Sequence, residues 1–378
     1  MTYLDHAATT SLDPRVAQTW LNATQTLGNA NSLHTPGRAA RSLLEDARET
    51  VADVVGCDPH EVIFTSGGTE ADNLAVSGLY RGVPVAYSTI EHPAVGESAR
   101  LHRTRVGTPV WEIPVGETGV VVPDDVRSVL DQARMQGEPV GVVSVMAANN
   151  ETGLIQPIQE IAQVVRAAGA AFHTDAVQAI GLIDIDFSGL DAMTISGHKI
   201  GAPVGVGALI ARRDFPLEAL EGGGGQERKV RSGTINVAGA VALAESLRIA
   251  AEERAEKSAR LGALSERLAG GLLAAIPDSS RSGAGERLVS HVHLLVPGAD
   301  PEALLLGCDM AGLAISLGSA CRAGVQRYSE VLAAMGLGEV AAVRLTLGAT
   351  STDADVDHAI SALPGIVEVA RKAGRRRG

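Results

Sequence analysis

The sequence predicts an α/β protein in two parts: a large domain built on a mostly parallel sheet, and a smaller α+β domain. In the first two thirds of the chain, short apolar runs alternate with amphipathic stretches of helical period, the pattern of strand–helix–strand units. After the glycine run at 222–225 this pattern gives way to long helical stretches and a few short strands. The length of 378 residues also favours more than one core.

The apolar runs of the first part are short, rich in β-branched residues and apolar on both faces, which is typical of strands covered on two sides. These predicted strands lie at 61–65, 84–88, 109–113, 140–146, 171–174, 192–196 and 207–211. The amphipathic stretches between them predict helices at 36–55, 70–80, 94–103, 123–136 and 158–168.

The second part begins with an Ala-, Glu-, Arg- and Leu-rich stretch at 236–275, which predicts one or two long helices. The strands predicted after it lie at 288–296, 314–316 and 343–346, and the helices at 301–311, 329–335 and 353–372. We therefore expect the large domain to span 14–250, and the small domain to combine 1–13 with 251–378.

Composition narrows the possible partners and compartment. The net charge of −12 argues against direct binding to nucleic acid, whose affinity comes from neutralising phosphates. No apolar run is long enough for a membrane helix, and the first residues do not resemble a signal peptide. Cys57, Cys308 and Cys321 form no CxxC pair, so neither a disulfide framework nor a metal site is expected. These features predict a cytoplasmic protein.

Lys199 is the first candidate for chemistry. It follows a predicted strand in Ser196-Gly197-His198-Lys199, before a glycine-rich segment that permits close backbone approach to a ligand. A lysine sheltered there beside an imidazole would have a lowered pKa and could form a Schiff base. The segment alone is equally typical of a lysine that extends from a turn into solvent.

Two further segments also have both a functional and a purely structural interpretation. Asp175 ends a predicted strand, where α/β proteins bind ligands, and could pair with a protonated ring nitrogen or simply cap the following turn. The run Thr65–Glu70 passes from a strand through two glycines into a helix, which suits either a phosphate site or a structural turn. It is neither a P-loop nor a dinucleotide-binding turn. Together, a phosphate cradle, a strand-end carboxylate and a strand-end lysine match the needs of pyridoxal phosphate (PLP).

Over nearly its whole length the chain resembles the cysteine desulfurases of the class V aminotransferase family, which are PLP enzymes of fold type I. The resemblance is specific because the family's motifs occur in the family's order. These motifs are Tyr3-Leu4-Asp5-His6-Ala7-Ala8-Thr9-Thr10, Ser66-Gly67-Gly68-Thr69-Glu70, Glu91-His92, Asn149-Asn150-Glu151-Thr152-Gly153, Asp175-Ala176-Val177-Gln178, Ser196-Gly197-His198-Lys199, Arg231-Ser232-Gly233-Thr234 and Ser319-Ala320-Cys321.

The resemblance implies a role for each of these residues. Lys199 would hold PLP as a Schiff base and transfer protons, Asp175 would pair with the pyridinium, and His92 would stack on the ring and move protons. Arg344, beside Asn150, would bind the substrate carboxylate. Asn150 and Gln178 would hydrogen-bond the phenolic oxygen of the PLP ring. The phosphate of PLP would be bound by Gly68, Thr69, Ser196 and His198. Thr234 would reach the phosphate bound in a neighbouring subunit, so a complete site requires a homodimer.

Cys321 distinguishes desulfuration from transamination. In the family this cysteine attacks the sulfur of bound L-cysteine, leaving alanine and an enzyme persulfide, and Arg322 would favour the thiolate. The spacing from Cys321 to Ser329 resembles that of the long-loop type I subgroup, in which the loop carries sulfur to an acceptor protein. A free thiol without catalytic work is the alternative, and this is the role that we expect for Cys57 and Cys308.

Two other functions stay open. The first is a selenocysteine lyase, aminotransferase or other class V lyase, and the second is a partner-dependent scaffold for sulfur transfer. A nucleotide-binding α/β protein is excluded, because the sequence has no phosphate motif of that kind. The sequence also leaves the sulfur acceptor open among iron–sulfur cluster assembly, tRNA or cofactor thiolation and DNA phosphorothioation.

Overall fold

The computed structural model describes residues 1–79, 82–318 and 328–377. In chain order its strands are β1 (Thr2–Tyr3), β2 (Val62–Thr65), β3 (Val85–Ser88), β4 (Val110–Ile113), β5 (Val142–Ser144), β6 (Ala171–Asp175), β7 (Ala192–Ser196), β8 (Gly207–Ala211), β9 (Ser280–Arg281), β10 (His291–Leu295), β11 (Leu313–Ala314) and β12 (Ala342–Thr346). Its helices are α1 (Pro14–Thr24), α2 (Thr35–Val55), α3 (Gly68–Ser77), α4 (Pro93–Val106), α5 (Pro123–Met135), α6 (Ile158–Ala167), α7 (Val237–Glu252), α8 (Arg254–Ala275), α9 (Pro301–Met310), α10 (Glu330–Ala334) and α11 (Asp353–Arg377).

A seven-stranded sheet in the order β2-β8-β7-β6-β5-β3-β4 forms the centre of the molecule. The neighbours from β7 to β4 pair in parallel, and β8 is antiparallel to both β7 and β2. Because β6 and β7 are parallel neighbours, their carboxyl ends meet at one edge of the sheet. Asp175 and Ser196 are the last residues of these two strands.

The second part of the chain forms a three-stranded antiparallel sheet, β12-β10-β9, and a parallel pair, β1-β11. Pairing with β11 brings the amino-terminal segment into this part. Leu4 is fully buried in its core, where it joins apolar residues of α8, α9, α11 and β12. Two other apolar clusters include residues of the seven-stranded sheet and of the helices packed on it. The domain boundaries given above remain our proposal.

The predicted strands and helices are confirmed, with shifts of a few residues at their ends. Three elements were not predicted. Helix α1 begins with Asp13 as N-cap and Pro14 in the first turn, which are start signals for a helix, but only Val16 and Ala23 are buried. Strands β1 and β9 have two residues each, too few to show an alternating pattern.

Candidate active site

A cleft of about 740 Å³ lies at the carboxyl ends of β6 and β7, where it also meets residues of β12 and of the segment after β11. Its size suits a cofactor together with a small substrate. It brings together ten of the predicted site residues, namely Gly68, Thr69, His92, Asn150, Asp175, Gln178, Ser196, His198, Lys199 and Arg344. Thr234 is exposed and is not among the residues that line the cleft. Cys321 lies outside the described residues.

Lys199 reaches the cleft from a short 3₁₀ turn, Gly197–Lys199, that follows β7 directly. Its ammonium donates hydrogen bonds to the backbone oxygens of Ala7 and Ala8, the second at 2.7 Å. Burial lowers its pKa to about 8, and the nearby charge of Arg344 contributes to this. The amine is therefore far easier to deprotonate than an ordinary lysine.

Asp175 caps the turn that follows β6 and also lines the cleft. Its Oδ1 accepts a hydrogen bond of 2.8 Å from the backbone N–H of Val177, so the carboxylate caps the turn after β6. The same carboxylate lines the cleft, and no described residue donates a hydrogen bond to its Oδ2. Burial raises its pKa to about 6, an effect opposed by the Val177 hydrogen bond and by Lys199. A buried carboxylate of this kind gains by pairing with a cationic ring nitrogen.

The amino terminus of α3 offers an anion site at the same edge of the sheet. The N-cap, Gly67, provides no side-chain hydrogen bond, so the first N–H groups of this ten-residue helix face the cleft without a capping side chain. At Gly68 a Cβ would lie 2.9 Å from Val177 Cγ2, so only glycine allows this close approach. The hydroxyl of Ser196 and the ring of His198 line the same cleft.

His92 is held in one orientation by its own helix. As the N-cap of α4, its Nδ1 accepts a hydrogen bond of 3.1 Å from the backbone N–H of Ala94. Burial, assisted by the charge of Lys199, lowers its pKa, so the ring is neutral. With Nδ1 as acceptor, the proton of the neutral ring resides on Nε2, which can donate a hydrogen bond.

Arg344 is fixed by residues distant in sequence. Its Nη2 donates to Asp5 Oδ1 at 2.7 Å and its Nη1 to the backbone oxygen of Asn150 at 2.9 Å. Its Nε is buried without a partner among the described residues. Asn150 is itself held by a turn in which Asn149 Oδ1 accepts from the N–H groups of Glu151 and Thr152.

Three residues of the site have no role predicted from the sequence. Two of them, Asp5 and Asn149, stand in the motifs that carry the resemblance. The third is Asp72, a fully buried carboxylate of α3 that lines the cleft. Its Oδ1 has no hydrogen-bond partner among the described residues and lies 3.8 Å from His173 Nε2. The sequence does contain a signal for Asp72, because it is an acidic residue on the apolar face of α3.

Comparison with known proteins identifies the family. The family model "Aminotransferase class-V" matches residues 2–359. The chain belongs to this family. A relative named "IscS-like cysteine desulfurase", from Mycobacterium tuberculosis, is 45% identical over 388 residues, which cover 99% of this chain and 98% of the relative.

Two solved structures extend the comparison. The NifS-like protein from Rickettsia africae has a TM-score of 0.87 and 33% identity, covering 97% of this class-V chain and 99% of that protein. A structure titled "SspA in complex with cysteine" has a TM-score of 0.79 and 28% identity, covering 92% and 99% of the two chains. The predicted fold class is therefore confirmed.

Class-V aminotransferases use PLP, and the residues of the cleft fit this cofactor. The uncapped amino terminus of α3 suits the phosphate, and the buried carboxylate of Asp175 suits the ring nitrogen. The readily deprotonated amine of Lys199 would suit the aldehyde.

Cys57 and Cys308 are free thiols, half-buried and buried respectively. Burial raises the pKa of each to about 12, so neither is a nucleophile at neutral pH.

Among the described residues, no helix is both long and apolar enough to cross a bilayer.

Proposed function

We propose that this chain is a PLP-dependent cysteine desulfurase, which converts L-cysteine to L-alanine and transfers the sulfur to Cys321 as a persulfide. The observation that carries the proposal is the common cleft of Lys199 and Arg344, an amine with a lowered pKa and a guanidinium suited to an amino acid's carboxylate. A protein named a cysteine desulfurase is 45% identical to this chain over nearly its full length, which supports the proposal. The structure of a similar protein in complex with cysteine also supports it.

Lys199 is the residue to which the cofactor would be attached, and it would afterwards move protons at the substrate's carbon atoms. When bound, PLP supplies an electron sink that stabilises negative charge on those carbons. With a pKa of about 8, Lys199 can both accept and return a proton near neutral pH. Asp175, with its free Oδ2 in the cleft, would keep the ring nitrogen protonated and so preserve that sink.

The remaining cofactor contacts are proposed with the roles that the resemblance implies. The amino terminus of α3, with Ser196 and His198, would bind the phosphate. His92, whose Nε2 carries the proton, would lie against the ring. Gln178 donates its Nε2–H to the backbone oxygen of Ala7 at 3.0 Å. Contact with the phenolic oxygen of the cofactor would therefore use Gln178 Oε1, or would require the side-chain amide to rotate.

Arg344 would bind the carboxylate of L-cysteine, beside Asn150. Asp5 and the backbone oxygen of Asn150 each take one Nη hydrogen bond, which fixes the plane of the guanidinium. The Nε is buried and has no partner among the described residues. A guanidinium held in this way is preorganised for a carboxylate.

The sulfur step needs the thiolate of Cys321. A new S–S bond would form between Cys321 and the substrate sulfur while the substrate C–S bond breaks, and its electron pair would remain on the carbon, which is then protonated to give alanine. No external oxidant is needed, because the sulfur is oxidised as the carbon is reduced. Two described residues that flank 319–327 lie close to Glu151, which lines the cleft. Ser329 Oγ donates to Glu151 Oε2 at 2.5 Å, and a Cβ on Gly318 would lie 2.7 Å from that oxygen.

We further propose an acceptor protein for the persulfide sulfur, and a homodimer in which Thr234 completes the phosphate site of the other subunit. The exposure of Thr234 supports the second proposal. Its segment is tied to α3 through Arg231, whose Nε lies 2.8 Å from Glu70 Oε1.

The test is alanine release from L-cysteine, with a thiol reductant present, by the wild type, Cys321→Ser and the matched control Cys57→Ser. We expect alanine from the wild type and from Cys57→Ser, and at least about 10²-fold less from Cys321→Ser because it lacks the nucleophile. Equal release by Cys321→Ser would make the thiol dispensable and favour a lyase, with selenocysteine as the next substrate. No alanine from any variant would contradict the proposal, unless addition of an acceptor protein restores it.

A further inference from the structure

The backbone of the short turn Glu227–Lys229, just upstream of Thr234, has an unusual conformation. All three of its residues have positive φ angles, of 42°, 57° and 67°. A side chain in this left-handed region crowds its own backbone, which is why glycine usually occupies it. Among the described residues one other non-glycine position, Asp278, shares it, and that position is isolated. Three consecutive strained residues persist only where their surroundings hold them in place.

The carboxylate of Glu227 provides the first of these contacts. Its side chain is only 1% exposed and accepts hydrogen bonds from groups that are distant in sequence. Arg48 of α2 binds both carboxylate oxygens, Nη2 to Oε1 at 2.7 Å and Nη1 to Oε2 at 3.0 Å. The backbone N–H of Phe64 donates to Oε2 at 2.8 Å. A bidentate pair of this kind fixes the orientation of its partners as well as their distance.

The same ion pair holds the turn against the edge of the sheet. Strand β2 is the last strand of the seven-stranded sheet, with β8 as its neighbour among the described strands. Arg48 Nη1 also donates to the backbone oxygen of Val62 at 2.6 Å, so the pair bonds two backbone groups of this edge strand. From the turn itself, Arg228 Nη1 donates to the backbone oxygen of Ala211, the last residue of β8, at 2.6 Å. The turn is therefore fixed relative to two strands.

Beyond the turn the chain reaches the surface at Thr234. The backbone N–H of Gly233 donates to Gln226 Oε1 at 3.0 Å, so residues on the two sides of the turn are bonded to each other. They also pack closely, since a Cβ on Gly223 would lie 2.5 Å from the Cβ of Ser232. Gly233 and Thr234 are nevertheless exposed. The exposed Thr234 thus belongs to a short segment whose base is held by the buried turn.

We propose that Glu227, together with Arg48, is a positioning residue for the cofactor site of the partner subunit, because it holds the left-handed turn that presents Thr234. The inference rests on the proposed function, in which Thr234 reaches the phosphate bound in the neighbouring subunit. Glu227 does not line the cleft of its own subunit. A segment already held in its binding conformation loses little conformational freedom when the subunits associate, so more of the contact energy is kept for the cofactor.

A role within the same subunit is the alternative, because β2 leads through Thr65 into the anion site at the start of α3. The contacts favour the role across the interface. Strand β2 is already fixed by its pairing with β8 along its whole length, Val62–Thr65. The strained turn lies outside the sheet and is held by the bonds of Glu227 and Arg228.

The test is a PLP titration of apoenzyme dimers that combine two variants, each subunit carrying a different affinity tag. Only a site with Lys199 gives the imine absorbance, so a dimer of one Lys199→Ala and one Glu227→Gln subunit reports on a single site. That site has its lysine in the Glu227→Gln subunit and receives Thr234 from the Lys199→Ala subunit. We expect it to bind PLP with wild-type affinity, whereas Glu227→Gln homodimers should bind PLP about 10-fold more weakly.

Weak binding in this mixed dimer, equal to that of the Glu227→Gln homodimer, would place the role of Glu227 in its own subunit and overturn the proposal. Wild-type affinity of the Glu227→Gln homodimer would overturn it as well. A second mixed dimer, Lys199→Ala with Thr234→Ala, tests the contact on which the inference rests. Wild-type affinity in the second dimer but not in the first refutes the role of Glu227 alone. Weak binding in both refutes the contact of Thr234 across the interface, and the inference with it.

Glu61→Gln is the matched control, because Glu61 is also a buried carboxylate next to β2 and lies 3.8 Å from Arg212. Its homodimers should bind PLP like the wild type. If Glu227→Gln does not fold, Arg48→Lys takes its place in the same mixed dimer, since lysine keeps the charge but not the bidentate geometry. All these readouts measure cofactor binding, so they stand apart from alanine release, which tests the desulfurase activity.

Discussion

The two walls of the active-site cleft are built in different ways. The first, which we call the strand-end wall, carries Thr69, Asp175 and Lys199. Thr69 lies in the first turn of α3, Asp175 is the last residue of β6, and Lys199 ends the short turn that follows β7. The second, the arginine wall, carries Arg344 and residues 315–318. Its main anchor is the ion pair between Arg344 and Asp5, residues 339 positions apart in the chain.

The difference shows how each wall depends on the rest of the fold. The strand-end wall follows from strand order and helix starts, so its chemistry is fixed once the sheet forms. The arginine wall requires the amino-terminal segment to dock on the second part of the chain, through β1 on β11 and through Asp5 beside Thr346. In the proposed function the first wall would bind the cofactor and the second would bind the substrate. The charge of Arg344, on the second wall, lowers the pKa of Lys199, on the first.

The largest effect is expected at the strand-end wall. Lys199→Ala should lower alanine release by at least about 10³-fold, because it removes the amine that we propose to bind the cofactor and to move protons. It should also abolish the visible absorbance of the imine. Lys372→Ala, which removes an exposed lysine, is the matched control. Release of alanine by Lys199→Ala at the wild-type rate would refute the Schiff-base assignment.

A smaller effect, of a different kind, is expected at the arginine wall. Asp5→Asn keeps the side-chain shape but removes the charge that orients Arg344, so KM for L-cysteine should rise about 10-fold, a cost of ~1.4 kcal/mol, with kcat changed less. Steady-state kinetics would measure both constants. Asp124→Asn, which alters an exposed pair with Arg127, should leave them unchanged. A fall in kcat alone would mean that Asp5 serves the cofactor rather than the substrate.

The smallest effect tests the electrostatic link between the walls. Only the neutral amine of Lys199 would react with the aldehyde of PLP, and the neutral fraction grows as the pH rises through the Lys199 pKa of about 8. The rate of imine formation, followed by absorbance after PLP is added to apoenzyme, should therefore rise with pH and level off above about 8. In Arg344→Gln the midpoint should move to higher pH, because a positive charge that favours the neutral amine is lost. A wild-type midpoint above 10 would contradict the lowered pKa.

The residues that could be predicted from the sequence follow the same division. Lys199, Asp175 and the Gly67–Gly68 turn could be recognised because strand ends and helix starts have local signals, and the cleft brings these residues together. Asp5 and Asn149 have no comparable signal, since one acts through a contact across almost the whole chain and the other through a turn that only the folded backbone defines. Asp72 was overlooked because a buried carboxylate contradicts the apolar pattern used to find the core. The roles of Thr234 and Cys321 and the domain boundaries stay predictions.

The amino-terminal segment has a practical consequence. In most domains the first few residues are poorly ordered, and changes there are tolerated. Here Leu4 is buried, Asp5 holds Arg344, and the backbone oxygens of Ala7 and Ala8 accept hydrogen bonds from Lys199. Trimming from the amino end would therefore inactivate the molecule while the seven-stranded sheet is still intact. Preparations that have aged in this way would look folded by circular dichroism, and intact-mass spectrometry would explain their missing activity.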